Sequence, residues 1–127
     1  MTAENVLKII KEKEIDYVDL RFTDPRGKLQ HLTQDISTID ADFLNEGTFF
    51  DGSSIAGWKA INDSDMILKP DLTRTFVDPF TSHNTLVIFC DIMDPIKKDY
   101  YERDPRSIAK KAEAYLKTTG IGDTIYF

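Results

Sequence analysis

The chain lacks several features that mark membrane, secreted and disulfide-stabilised proteins. No apolar run approaches the roughly 20 residues that a membrane-spanning helix needs, and the first residues contain no apolar signal-peptide core. The 127 residues include one cysteine, Cys90, which excludes an intrachain disulfide. Because Cys90 lies in the hydrophobic run Leu86–Cys90, we expect a small buried thiol. These observations predict a cytoplasmic protein without a membrane partner.

The chain also has fewer basic than acidic residues. Lysine and arginine together number 16 against 22 acidic residues, so the formal net charge is −6 and the isoelectric point is near 4.8. Nucleic-acid binding needs clustered Lys and Arg to neutralise phosphates, so nucleic acid is not the expected partner. With 41% hydrophobic and 30% charged residues, the composition is typical of a folded globular domain.

Motifs for nucleotide and metal chemistry are absent as well. The sequence has no Gly-x-x-x-x-Gly-Lys-Ser/Thr loop for phosphate binding. Its two histidines have no second ligand at metal-binding spacing. We expect a structural role for His31, an exposed loop position for His83, and no metal site in this chain.

Chemically useful side chains are concentrated in residues 49–58, Phe-Phe-Asp-Gly-Ser-Ser-Ile-Ala-Gly-Trp. Glycine permits positive φ and short polar side chains bond back to the backbone, so the stretch predicts an exposed loop. Asp51 would accept a proton or bind a cation there, and an exposed Trp58 would stack on a partner. The same residue types are typical of an ordinary tight turn with Trp58 in the core. Residue chemistry therefore indicates a cation or amine site and leaves the simple turn open.

Hydrophobic periodicity and capping residues predict an α+β fold. Thr2 is placed to cap a first helix, alternation around the turn 24–27 predicts an edge hairpin, and Asp104-Pro105 marks another helix start. Pro70 is expected to stop a strand, and the non-alternating run 85–92 predicts a strand covered on both faces. The predicted helices are 3–14, 40–46 and 104–119, and the predicted strands are 18–23, 28–33, 66–69, 73–77, 85–92 and an opening at 125–127.

The end of the chain predicts a second, truncated domain. Residues 95–103 are polar, charged and contain proline, which is typical of a linker. The helix and strand opening after it have little left to pack against. We therefore expect a domain over 1–94, a linker over 95–103 and the start of a truncated domain over 104–127.

Three long motifs resemble the N-terminal domain of bacterial type I glutamine synthetase. They are Val18–Asp24, the run Phe50–Trp58 followed by Ile61–Met66, and Arg103–Lys110. The likeness covers essentially the whole chain in the right order. It implies a β-grasp-like N-terminal domain, a mixed sheet with a packed helix, followed by the first elements of the catalytic domain.

The resemblance also implies an activity and an assembly. The family condenses glutamate with ammonia, using ATP and Mg²⁺ or Mn²⁺, through a γ-glutamyl phosphate intermediate. Its identical subunits form a dodecamer of two hexameric rings, and an N-terminal loop completes the active site of the adjacent subunit. The metal, ATP and glutamate sites are expected beyond Phe127, so the chain alone is expected to be inactive.

Five residues match family positions at that shared site. The resemblance implies that Asp51 binds ammonium and takes its proton, and that Ser53 and Ser54 are the hydroxyls beside it. Ser54 is the better candidate for a substrate contact, whereas Ser53 holds the turn. Trp58 would pack against the neighbouring subunit, and Asp65 would lie near that subunit's mobile flap.

Two other functions remain open from the sequence. A β-grasp-like domain also serves as a stand-alone protein-interaction module without catalysis, because fold alone does not determine function. A related ligase would join glutamate to an amine other than ammonia. The match around Asp51–Ser54 favours ammonia.

Overall fold

A mixed β-sheet is the frame of the chain in the computed structural model, which describes residues 1–57 and 65–126. Within those ranges the strand order is β2-β1-β5-β4-β3, with β6 beside β5. The pair β1–β5 is parallel and the other pairs are antiparallel. The elements are α1 (Ala3–Glu12), β1 (Tyr17–Thr23), β2 (Leu29–Asp35), α2 (Ala41–Glu46), β3 (Thr48–Asp51), β4 (Asp65–Val77), β5 (Thr85–Asp94), β6 (Asp99–Tyr100) and α3 (Pro105–Thr119). The predicted α+β class is confirmed.

Strand β5 is the centre of the sheet and of the core. It pairs with β1 on one side and β4 on the other, and burial continues over nearly its whole length. Its core side chains share one hydrophobic cluster with Val6 and Ile10 of α1. Four of them are at most 1% exposed: Leu86, Ile88, Cys90 and Ile92. The predicted strand covered on both faces is confirmed, and so is the buried Cys90, whose thiol pKa is raised by burial.

The predicted caps of the first and last helices are present, and α2 has an N-cap that was not predicted. Thr2 Oγ1 accepts the Asn5 N–H at the start of α1, and Asp40 accepts the Phe43 N–H at the start of α2. Asp104 caps α3, which has proline in its first turn and ends at Gly120 in the left-handed conformation. Helix α1 stops two residues earlier than predicted.

The strand predictions around Pro70 were wrong. A single strand, β4, runs through the proline instead of ending there. The register shifts between Pro70 and Thr75, so the missing N–H falls at an irregularity where the hydrogen-bond ladder is interrupted anyway. Proline is tolerated at such a position, and one long strand results.

The segment 95–103 also differs from the simple linker that was predicted. Strand β5 continues to Asp94, and β6 pairs back on it within the segment 95–103. The strand opening expected at the chain end is not formed by Ile125 and Tyr126, since an isolated strand has no ladder to join; Phe127 lies outside the described residues. The domain boundaries stay a prediction.

Helix α3 meets the sheet through charged side chains. Arg106 Nε donates to Asp91 Oδ1 over 3.0 Å, and Arg106 also pairs with Asp71 of β4. The apolar stripe of α3 faces outward instead, with Ile108 56% and Tyr115 71% exposed. None of the helices in the described ranges is long and apolar enough to span a membrane.

Gly47→Ala is expected to destabilise the fold strongly. Gly47 ends α2 with φ +86°, and a Cβ there would lie 2.1 Å from the backbone oxygen of Leu68 on β4. With ψ −166°, this is a region of backbone conformation that is almost restricted to glycine, and it costs an L-residue roughly 1–3 kcal/mol. With the backbone clash, the free energy of unfolding in urea should fall by about 4 kcal/mol.

Gly27→Ala is the matched control for this experiment. Gly27 has φ +83°, but no atom lies within 4 Å of the position that its Cβ would take. The free energy of unfolding of Gly27→Ala should therefore fall only by the cost of the positive φ. Equal losses for Gly47→Ala and Gly27→Ala would contradict the predicted clash.

Candidate active-site loop

The loop 51–57 leaves the sheet at the end of β3 and is anchored from below. Strand β3 pairs with β4 as far as the register Asp51–Asp65. Gly52 and Ile55 are buried, and Ile55 belongs to the main hydrophobic cluster. Asp51 and Ser54 are exposed. The loop therefore presents polar side chains on an apolar anchor.

Asp51 is oriented by its own turn. Its Oδ1 accepts the Ser53 N–H over 2.9 Å and the Ser53 hydroxyl over 2.7 Å. The Ile55 N–H donates to the Gly52 carbonyl over 3.1 Å and closes a short 3₁₀ turn at Gly52–Ser54. Ser53 thus holds the carboxylate, while the exposed Ser54 is the hydroxyl turned toward solvent.

Two grooves flank the first hairpin. The larger one, about 410 Å³, is lined by Asp19, and the smaller one, about 360 Å³, lies beside Asp51. Phe22 and Phe50 in its lining are in contact, with ring centroids 5.4 Å apart and ring planes tilted by 44°. Its lining combines an apolar base with polar groups: Phe22, Gln30, His31, Leu32, Phe50, Asp51, Ser54, Ile55 and Leu68. A carboxylate and a hydroxyl beside an apolar surface can hold a small cation such as ammonium.

Sequence reasoning missed the contribution of the first hairpin to this groove. Phe22 and Gln30 are register partners across β1 and β2, so they reach the groove together. Alternation in β1 predicts that Phe22 faces inward, but it does not tell which loop Phe22 meets. That contact depends on the strand order of the whole sheet.

Asp65 and Trp58 are the two remaining predicted site residues, and the structure describes Asp65 alone. Asp65 is exposed at the start of β4, directly across from Asp51 in the register, so two acids lie side by side at the edge of the loop. Trp58 lies outside the described residues, as do 59–64. The inter-subunit roles of both stay predictions.

A second polar cluster surrounds Asp19, on the face of β1 opposite to Phe22. Asp19 is only 5% exposed, and its carboxylate accepts bonds from Arg21 Nε over 2.7 Å and Thr33 Oγ1 over 3.0 Å, with His31 Nδ1 at 2.8 Å. Arg21 also donates to Asp78 over 2.7 Å. Burial alone would raise the pKa of Asp19, but the bonds from Arg21, His31 and Thr33 outweigh it and lower that pKa.

This cluster has the character of a structural network. Each charged member is hydrogen-bonded within it, and it lines the larger groove together with His83, whose side chain is 68% exposed. The predicted exposed position of His83 is confirmed. His31 contacts a buried carboxylate, which gives it a structural partner.

The described residues do not fit a divalent metal. Across 1–57 and 65–126, no three His, Cys, Asp or Glu side chains come together as ligands.

The sheet order, with a parallel β1–β5 pair at the centre and α1 packed on one face, defines the chain as a β-grasp domain. Residues 14–95 match the family model described as the glutamine synthetase β-grasp domain. The chain therefore belongs to the glutamine synthetase family. The predicted resemblance and the predicted β-grasp fold are both confirmed.

Curated relatives agree along the whole chain. It is 62% identical over 126 residues to glutamine synthetase of Azorhizobium caulinodans and 61% identical over 127 residues to that of Methylococcus capsulatus, covering 99% and 100% of this chain. Identity to the Escherichia coli K12 enzyme is 54% over 127 residues. The chain spans 27% of the length of each of these relatives.

A solved structure gives the same result at lower identity. The cryo-EM structure of Plasmodium falciparum glutamine synthetase superposes with a TM-score of 0.86 at 26% identity. The match covers 97% of this chain and 24% of that chain.

Asp19→Asn is expected to lower the free energy of unfolding at pH 7 by about 2 kcal/mol, because the neutral amide loses the ion pair with Arg21. The folded pKa of Asp19 is depressed, so its contribution is present above the unfolded pKa and is lost as pH falls through the folded pKa. Urea unfolding at a series of pH values should therefore show a steeper acid loss in the wild type than in the variant.

Asp123→Asn provides the control, since Asp123 is exposed near the chain end. It should leave both the stability at pH 7 and its acid dependence unchanged. An Asp19→Asn protein with the same acid dependence as the wild type would contradict the assignment.

Proposed function

We propose that this chain is the N-terminal part of a glutamine synthetase, in which the loop 51–57 completes the active site of the adjacent subunit. The reaction is the ATP-dependent condensation of glutamate with ammonia through γ-glutamyl phosphate. The observation that carries the proposal is the exposed Asp51 carboxylate, oriented by Ser53 on a loop that Ile55 anchors in the core. The family membership supports the reaction class.

Asp51 acts on the attacking nitrogen. Ammonium has no lone pair and cannot attack until it loses a proton. The negative carboxylate attracts the cation, and a proton passes from the nitrogen to a carboxylate oxygen of Asp51. The lone pair of the resulting ammonia forms a bond to the acyl carbon of γ-glutamyl phosphate, and phosphate leaves with the electrons of the broken C–O bond. The new amide nitrogen then gives up its surplus proton to the departing phosphate.

The neighbouring side chains position this step. Ser53 donates twice to Asp51 Oδ1 and keeps the carboxylate facing outward. Ser54, exposed beside it, contacts the ammonium or the adjacent substrate. Trp58 and Asp65 contact the neighbouring subunit.

The rest of the enzyme supplies the other half of the site. The part outside this chain binds glutamate, ATP and Mg²⁺ or Mn²⁺. The divalent ion neutralises phosphate charge when bound. Identical subunits assemble in the cytoplasm as two hexameric rings, and each ring interface pairs one loop with one catalytic site. The chain alone is then a half-site without activity.

Asp51→Ala in the complete enzyme is expected to lower kcat/KM for ammonium by about 100- to 1,000-fold, because general-base catalysis and cation binding are lost together. Steady-state glutamine formation with varied ammonium measures it. Asp42→Ala is the matched control, since it removes one exposed acid from α2. Circular dichroism would verify that both variants fold.

Two results would contradict the proposal. A fall in kcat/KM of less than threefold for Asp51→Ala would show that Asp51 takes no part in the reaction. Glutamine formation by the 127-residue chain alone would refute the half-site.

A further inference from the structure

Gly57 of the loop 51–57 is hydrogen-bonded to a residue that is remote in sequence. Arg103 Nη1 donates to the Gly57 carbonyl over 3.1 Å, across 46 positions of the chain. Arg103 lies in the turn between β6 and α3, so this bond joins the candidate loop to the start of the last helix. A donor that carries charge makes a stronger hydrogen bond than a neutral one.

The backbone that carries Arg103 is held by the core. Its neighbour Asp104 is 0% exposed and accepts the Ile92 N–H over 3.1 Å, directly on β5. The Tyr101 N–H donates to the Ile92 carbonyl over 2.8 Å, and the Asp104 N–H donates to the Tyr101 carbonyl over 3.1 Å. The backbone on both sides of Arg103 is therefore hydrogen-bonded to the central strand.

The loop is less firmly anchored at Gly57 than at its beginning. Its first residues are held by β3 pairing and by the buried Gly52 and Ile55. Ala56 and Gly57 are exposed, and Gly57 has φ +87° with only Pro25 Cγ, at 3.8 Å, near the position of a Cβ. The glycine there serves the backbone conformation, and its carbonyl accepts the bond from Arg103.

We propose that Arg103 is a positioning residue, which holds the loop 51–57 through the Gly57 carbonyl and thereby fixes where Asp51 and Ser54 point. The catalytic part of this inference rests on the proposed function; the structural part does not. Arg103 acts through the loop and does not itself contact ammonium. Its planar fork of N–H groups suits a fixed carbonyl better than the single ammonium of lysine.

Amide hydrogen exchange in the 127-residue chain tests the structural part. The Ser53 and Ile55 amides are both bonded within the loop, so they report its opening. Arg103→Ala should raise their exchange rates by about fivefold, because the charge-assisted hydrogen bond to the Gly57 carbonyl is lost. The Ile88 amide of β5 should be unchanged, which separates loop opening from global unfolding.

Lys117→Ala is the matched control for the lost charge. Lys117 is exposed on α3, about 18 Å along the helix axis from its start. It should leave the Ser53 and Ile55 amides unchanged, and Arg103→Lys should give an intermediate increase. Equal loop exchange in Arg103→Ala and Lys117→Ala would overturn the proposal.

Kinetics in the complete enzyme test the catalytic part. Arg103→Ala should raise KM for ammonium by about fivefold with a smaller change in kcat, and Arg103→Lys should recover part of the loss. An unchanged KM despite faster loop exchange would also overturn the proposal. The exchange experiment involves no glutamine formation, so its failure is distinguishable from a failure of the proposed function, which the Asp51→Ala kinetics test.

Discussion

Burial of β5 on both faces is the constraint on which the rest of the structure depends. Its parallel pairing with β1 and antiparallel pairing with β4 place the two halves of the sheet on either side of one apolar strand. Strand β4 in turn carries β3 and the candidate loop. On the other side of the loop, Ile92 of β5 binds the Asp104 side chain next to Arg103. The beginning of the loop and the segment that carries Arg103 therefore both connect to the same strand.

The buried carboxylates of this acidic chain are stabilised by nearby hydrogen-bond donors. Asp24, 4% exposed, accepts the N–H groups of Arg26 and Lys28 and the side chain of Gln30. Asp19 and Asp104 are buried with comparable sets of donors. A buried carboxylate without such bonds would be strongly destabilising. The exposed Asp51 stands apart from these structural acids because it lies on a rim where another molecule can reach it.

Local signals were sufficient to predict the three helices, the first hairpin and β5, and non-local pairing explains what they missed. The caps at Thr2 and Asp104 depend on neighbours a few residues away, so the sequence predicts them directly. Pro70 continues a strand only because the facing β5 ladder is interrupted at that position. Alternation places Asp19 away from the core, yet the side chain is buried by partners on other segments, including Thr33. The bond between Arg103 and Gly57 has no sequence signal, since it requires the complete fold.

Subunit mixing tests the proposed shared active site most directly. One parent carries Asp51→Ala, and the other is inactivated by a substitution in the part of the enzyme outside this chain. If the loop acts across a subunit boundary, equal co-assembly should restore about one quarter of wild-type glutamine formation, because intact loops and intact facing sites combine independently in a symmetric ring. Activity no greater than that of the two parents together would mean that each site is built within one subunit, and would contradict the shared site.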